Sequence, residues 1–209
     1  GQRLAMRRAL ATIAIGGAPQ QVLDAAFLEA MRQVLRHPGL DAAFKELVLT
    51  LPSESYIAEQ ASVVDPQKIH QVREAMRLQI ALEMQEDWKW ASDHHRVTGE
   101  YSPDATSSGR RALQGLALNY LCLAGQSLND DHWAQQAVQA FNRANNMTER
   151  MHALQALVAV CHPLAEQALA AFYHQFKHEE LVLDKWFAVQ ASACDHHGHV
   201  LGRVRQLMQ

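Results

Sequence analysis

Glycine and proline are scarce in this chain, at 10 and 6 residues among 209, which leaves little punctuation for a fold of many short strands. Three cysteines, Cys122, Cys161 and Cys194, cannot all pair within one chain. Each lies in or beside an apolar helical stretch, where a free thiol behaves as a small hydrophobe. A reducing cytoplasm fits and is the expected setting, though a periplasmic protein with spare thiols would fit the cysteines too. No run of roughly 18 uninterrupted apolar residues exists, so a membrane-spanning helix is not expected. A concentrated basic face is missing too. The net charge is −3, and Arg3, Arg7, Arg8, Arg203 and Arg205 read as solvated helix faces. Neither a nucleic-acid nor a lipid-headgroup partner is indicated.

The motifs of common chemistries are also absent. A zinc peptidase helix needs His-Glu-x-x-His, because residues i and i+4 share a face and the intervening Glu serves as general base. The nearest string is His178-Glu179-Glu180-Leu181-Val182, whose fifth residue is valine. Neither a P-loop nor a G-x-G-x-x-G phosphate loop occurs. Ala9 to Ile15 follows arginines and faintly imitates a leader peptide, but its helical spacing and the lack of an initiating methionine argue against one.

What fills the chain is helix-forming residues: 48% of it is apolar, and Leu, Ala, Gln, Glu, Arg and Met abound. Leu4, Arg7, Arg8, Ala11 and Ile15 run at helical spacing with no capping residue ahead of them, the pattern of a start cut from within a longer chain. Helices are expected to follow at Gln20–Leu35, with Val22, Phe27, Met31 and Val34 on the apolar side, at about Asp41–Leu49, and after a cap at Ser53. Asp65-Pro66 is the clearest start, an N-cap acid before a proline at the first helical position. Ile69, Val72, Met76, Ile80, Met84, Trp88 and Ala91 then form one stripe. This predicts a continuous spine of roughly 27 residues, on the order of 40 Å. His94–Ser108 reads as a loop that could mark a subdomain boundary.

Beyond it, helix pairs are expected: Arg110–Ala124 with His132–Ala144, Thr148–Cys161 with Pro163–Phe176, and Asp184–Ala193 with His197–Met208. Candidate caps Ser108, Thr148 and Asp184 set a period near that of HEAT and armadillo repeats. The fold expected is all-α, a right-handed α-solenoid-like superhelix of antiparallel helix pairs, truncated at both ends. Val200, Leu201, Val204 and Leu207 form the uncovered stripe that suggests the second truncation. Residues 1–209 are taken as part of one helical domain, with irregular helices and the spine over 1–95 and repeats over 109–209.

The remaining polar groupings read as structure rather than chemistry. His174 and His178 lack a third ligand and suit a solvated helix end. Cys194, Asp195, His196, His197 and His199 match no structural zinc spacing, and Gly198 among them suggests a turn. Cys161-His162 has no orienting third group and reads as a buried helix end. Asn146-Met147-Thr148 fits a glycosylation sequon but reads as a turn and cap. Trp88, Trp90, Trp133 and Trp186 read as packing. No catalytic, cofactor-binding or metal-binding residue is assigned.

Several strings nonetheless resemble the C-terminal domain of bacterial aminopeptidase N, a zinc metallo-aminopeptidase family. They are Leu49-Thr50-Leu51-Pro52-Ser53 with Asp65-Pro66 and Val72-Arg73-Glu74-Ala75; Arg110-Arg111-Ala112-Leu113 with Leu118-Asn119-Tyr120-Leu121; Ala144 to Arg150 with Ala153-Leu154; and Leu181 to Phe187 with Gln190-Ala191. The resemblance implies a parent enzyme that removes single residues from peptide N-termini. It places the zinc ligands, the general-base Glu and the Gly-x-Met-Glu-Asn amine-binding segment in an earlier catalytic domain. None of those motifs stands in this chain, so no catalytic residue carries over. The implied role is a lid and wall over the catalytic domain, admitting small peptides, with that domain as partner. The isolated chain is expected to be inactive and to self-associate through apolar surface. Two alternatives stand beside it: an independent helical-repeat scaffold for a protein partner, and a helical-bundle metalloenzyme. The latter finds one Glu-x-x-His string, Glu149 to His152, and no second copy.

Overall fold

The computed structural model describes residues 22–61, 63–193 and 198–208. Among these the chain is helical throughout, with no strand. The expected first helix, ending near Ile15 before Gly16-Gly17, lies outside the described residues. The chain divides into two compact units, Gly1–Tyr120 and Leu121–Gln209.

In the first unit, short polar caps start the helices. Asp24 accepts from the Phe27 amide at 2.8 Å to begin α1 (Ala25–Arg36), and Asp41 accepts from Phe44 at 2.8 Å to begin α2 (Ala42–Leu49). Ser53 accepts from Tyr56 at 3.2 Å for α3 (Glu54–Glu59). Asp65 accepts from Lys68 at 3.1 Å for α4 (Pro66–Glu83), with Pro66 at the first helical position as its sequence predicts. Each cap satisfies an amide that the helix cannot, worth about 1 kcal/mol.

The expected stripe is buried along its whole length, from Ile69 and Val72 through Met76, Ile80, Met84 and Trp88 to Ala91. The spine itself is not continuous. α4 stops at Glu83, Met84 takes φ −112° and ψ 21°, and α5 (Gln85–His94) restarts beyond it. Two side chains reach into the carbonyl ladder there, which is how helices kink without proline. Arg32 Nη2 donates to the Glu83 carbonyl at 2.7 Å, and the Trp88 indole donates to the Ile80 carbonyl at 3.2 Å. Trp88 also stacks on Tyr120, ring centroids 4.6 Å apart. Upstream, the buried Gln79 amide accepts from Leu23 N at 2.8 Å and donates to Leu23 O at 2.9 Å, pinning the segment that leads into α1.

The break after α5 is shorter than expected. Asp104, not Ser108, caps α6 (Ala105–Leu128), accepting from the Ser107 amide at 2.9 Å. That bond holds its carboxyl well below the usual range, with Ser102 adding to it. Ser108 lies inside the helix and donates to Pro103 O at 3.2 Å.

In the second unit α7 (His132–Arg143), α8 (Met147–Ala159), α9 (Leu164–Phe176), α10 (Glu180–Ala191) and α11 (His199–Leu207) follow. The expected helices are therefore present, but their caps are not where the period placed them. Asn146 begins α8 by accepting from Glu149 N at 2.9 Å, so Thr148 is already helical, and Asp184 sits inside α10. Neighbouring helices are tied by side-chain bonds to main-chain carbonyls: Arg150 to Ala144 at 2.7 Å and Trp186 to Leu169 at 2.9 Å. The buried Gln190 accepts from Arg203 at 2.7 Å, joining α11 to α10.

Candidate functional site

Among the described residues, one cluster brings three metal-ligand types together: Glu54 from the first turn of α3 and His70 and Glu74 from one face of α4, their ligand atoms within 4.8 Å of one another. His70 Nδ1 lies 2.8 Å from Glu54 Oε1. Glu74 is already committed. Arg77 Nη1 donates to its two oxygens at 3.0 and 2.8 Å, and Arg73 Nη1 to one of them at 3.4 Å. Both guanidiniums are anchored elsewhere, Arg73 on Pro52 O at 2.8 Å and Arg77 on Asn119 at 3.1 Å. A divalent ion on Glu74 would sit within a few ångströms of two fixed cations, and repulsion at that range rivals the attraction of one carboxylate. The zinc implied by the sequence resemblance does not fit this cluster. Its evident work is to tie α3 and the 52–54 turn to α4. The sequence shows His70 and Glu74 four apart; only the packing of α3 on α4 brings Glu54 to them.

The groupings named from sequence fall as follows. α9 ends at Phe176, so His174 is in its last turn and His178 in the turn beyond. Glu179 is the boundary residue before α10, so His178-Glu179-Glu180-Leu181-Val182 straddles a helix junction instead of sharing a face. Cys194 to His197 lie outside the described residues. Gly198, at φ 74°, makes the turn its sequence suggests, and α11 begins at His199. Cys161 corrects the expectation of a buried helix end: it is exposed, at φ 49°, in the turn that closes α8. His162 is occupied on both nitrogens. Nδ1 accepts from Leu164 N at 3.2 Å, so Nε2 carries the proton and donates to Asp131 at 3.1 Å. A base with no spare lone pair cannot activate the neighbouring thiol. Glu149 and His152 lie in the first two turns of α8, and Glu149 N bonds the Asn146 cap.

Two buried nucleophile-type groups are held protonated. Burial pushes the Tyr120 phenol up to about 12 against the opposing pull of Arg77, and burial alone pushes the Cys122 thiol up to about 12. Neither is poised for chemistry near neutrality. Sequence reasoning missed one further feature, a lysine, Lys45, turned inward on α2 with 4% of its surface exposed. The alternation that would flag it is weak in an eight-residue helix.

Among the described residues the chain is an all-helical array. Residues 1–209 match the family described as "Domain of unknown function (DUF3458_C) ARM repeats", and the chain belongs to it. The all-α, armadillo-like fold read from the sequence is thereby shown. The chain is 34% identical over 212 residues to an aminopeptidase N of Caulobacter vibrioides, covering 100% of this chain and 23% of that protein. Aminopeptidases N of Haemophilus influenzae and Escherichia coli are 33% and 32% identical, each over 87% of this chain and 20% of their own length. The chain thus spans about a fifth to a quarter of the curated relatives it matches. The solved structure of Legionella pneumophila aminopeptidase A in complex with aspartic acid superposes with a TM-score of 0.82 at 24% identity, over 100% of this chain and 24% of that one. The resemblance to aminopeptidases holds along the whole sequence. Among the described residues no helix is long and apolar enough to cross a membrane.

Proposed function

We propose that this chain is the non-catalytic C-terminal helical domain of a zinc-dependent aminopeptidase that removes N-terminal amino acids from peptides. In that role it caps the catalytic domain and limits access to the active-site cavity. The observation that carries the reading is the coverage: all of this chain aligns with aminopeptidase N of Caulobacter vibrioides, yet it accounts for 23% of that protein. On this reading the zinc and the general base belong to the remaining three quarters, and the chain's contribution is steric. Helices tied by buried side-chain-to-carbonyl bonds make a stiff wall, which suits exclusion by size. Large apolar side chains left in water, among them Val63, Leu181 and Met208, support a surface that another part of the polypeptide covers. The reading places the parent enzyme in the cytoplasm, where Cys122 and Cys161 stay as thiols.

The test compares the full-length enzyme with a form lacking this segment, on peptides of increasing length and on a single-residue chromogenic amide. The reading predicts that the full-length enzyme disfavours long peptides and that removing the segment relaxes that preference. Bound zinc and turnover of the small amide report whether the shortened enzyme remains folded. An unchanged length preference in a zinc-loaded, amide-cleaving truncation would refute the capping role.

A further inference from the structure

Where α4 gives way to α5, the sequence offers no reason to stop. From Met76 to Ala91 there is no Gly, Pro, Ser, Thr or Asn, and most of the residues are good helix formers. The apolar stripe stays in phase across the junction, with Ile80, Met84, Trp88 and Ala91 all buried. On that buried side the main chain keeps its helical bonds, Met84 N to Ile80 O at 3.1 Å and Trp88 N to Met84 O at 2.9 Å. Yet Met84 leaves the helical region, at φ −112° and ψ 21°. The cause lies outside these residues.

Two side chains bond carbonyls at the junction, and they differ in what they displace. The Trp88 indole shares the Ile80 carbonyl with the Met84 amide, so it takes no helical bond away. The Glu83 carbonyl is a different case. In a continuous helix it would accept from the Asp87 amide, four residues on. Arg32 Nη2 holds that carbonyl at 2.7 Å, and Arg32 Nε reaches the Asp87 carboxylate at 3.3 Å. One guanidinium thus engages both residues that a straight spine would bond to each other. Arg36, one turn along α1, fixes the other Asp87 oxygen from Nε at 2.9 Å and lies over the Trp90 ring, 4.3 Å from its centre. The spacing makes this possible: Arg32 and Arg36 are four apart on α1, as Glu83 and Asp87 are on the spine. The contact stays partly open to water, with the Arg32, Arg36 and Asp87 side chains 33%, 41% and 17% exposed.

We propose that the α4–α5 junction is a conformational device, a spine whose own sequence favours one straight helix and which an ionic latch from α1 holds bent. While Arg32 is seated, the bend persists. When it withdraws, the Asp87 amide takes the Glu83 carbonyl and the two helices join. The position of α1 and the direction of α5 are then coupled, forming a two-state element that anything moving α1 would bias. The latch needs arginine, because a planar fork can hold a carbonyl and a carboxylate together where an ammonium is a single point of charge.

The test is hydrogen exchange by mass spectrometry on the full-length protein, comparing the parent with Arg32→Met, which keeps an aliphatic stem and removes every donor. The amides to read are those of Gln85, Glu86 and Asp87, whose helical acceptors lie across the junction. The latch predicts that they exchange at least about tenfold more slowly in Arg32→Met, because joining the helices gives them partners. An arginine that only fastens α1 to a bend encoded elsewhere predicts the opposite sign, since its loss would loosen the region. Faster or unchanged exchange at these three amides, with α8 as protected as in the parent, would overturn the proposal. If Arg32→Met loosens α8 as well, Arg32→Lys decides: slowing at the three amides supports the latch, and its absence overturns it. A crystal structure of whichever variant stays folded reads the same point directly. Met84 should return to about φ −63° and ψ −42°, and a Met84 left at the parent's angles would sink the idea.

Discussion

Two glycines in helices should answer the same substitution with opposite signs. Replacing glycine by alanine in a helix interior ordinarily stabilises by about 1 kcal/mol, because alanine has less backbone freedom to lose. At Gly202 in α11 a new Cβ meets nothing within 4 Å, so Gly202→Ala should gain roughly 0.5–1 kcal/mol. At Gly125, near the end of α6, the Cβ would lie 2.6 Å from the Asp130 carbonyl oxygen. Reaching an ordinary separation of roughly 3.4 Å needs a retreat of about 0.8 Å by main-chain atoms, not by a flexible side chain. That retreat disturbs the turn that closes the helix, where Asp130 N donates to Gly125 O at 2.8 Å and Asn129 sits at φ 55°. Steric insertion of this kind costs about 1–3 kcal/mol and the weakened hydrogen bond about another 1, against a gain of about 1 from propensity. The balance is a loss of roughly 1–3 kcal/mol. In thermal melts Gly125→Ala should fall by about 3–10 °C and Gly202→Ala should rise by about 2–4 °C. A Gly125→Ala variant as stable as the parent would refute the reasoning, since propensity alone would then govern both sites.

Two further outcomes follow from the buried titratable groups. His95 is held below its unfolded value near 6.5, chiefly by burial, so the unfolded chain binds its proton first as the pH drops. Its stabilising contribution is present above about pH 6.5 and is lost on acidification towards the folded pKa. Melting temperatures of the parent and His95→Gln, taken from pH 7.5 to 5, should therefore show a smaller acid-side fall for the variant; parallel curves would contradict this. Cys122 is buried, donates to Trp133 O at 3.5 Å and is pushed up to about 12, whereas Cys161 is exposed. Iodoacetamide at pH 8 should label Cys161 at least about a hundredfold faster in the folded chain, because both thiolate fraction and access are suppressed at Cys122. Comparable rates would count against the buried placement.

Much of the helical order was legible because its signals are local. Asp65-Pro66 announces α4, Ser53 announces α3, and the seven-residue stripe from Ile69 to Ala91 is buried as its spacing requires. The break at Met84 was not legible, since it arises where Arg32 from α1 takes the Glu83 carbonyl, a contact between residues 51 apart. The caps of the later helices misled for a different reason. Ser108, Thr148 and Asp184 are competent caps by type, and the true starts at Asp104 and Asn146 lie only a few residues upstream. The site-level features escaped entirely. Nothing in Lys45 or its neighbours marks the lysine as the inward residue, and Glu54 joins His70 and Glu74 only through tertiary packing.

The central claim is that this chain is a helical domain working beside a catalytic centre it does not contain. Its most direct test is aminoacyl-amide hydrolysis and zinc content, measured side by side on the 209-residue chain and on the full-length protein. The account predicts turnover and one tightly held zinc in the full-length protein, and neither in the chain alone even with zinc added. Turnover by the isolated chain, abolished by changing one of its own residues, would contradict it.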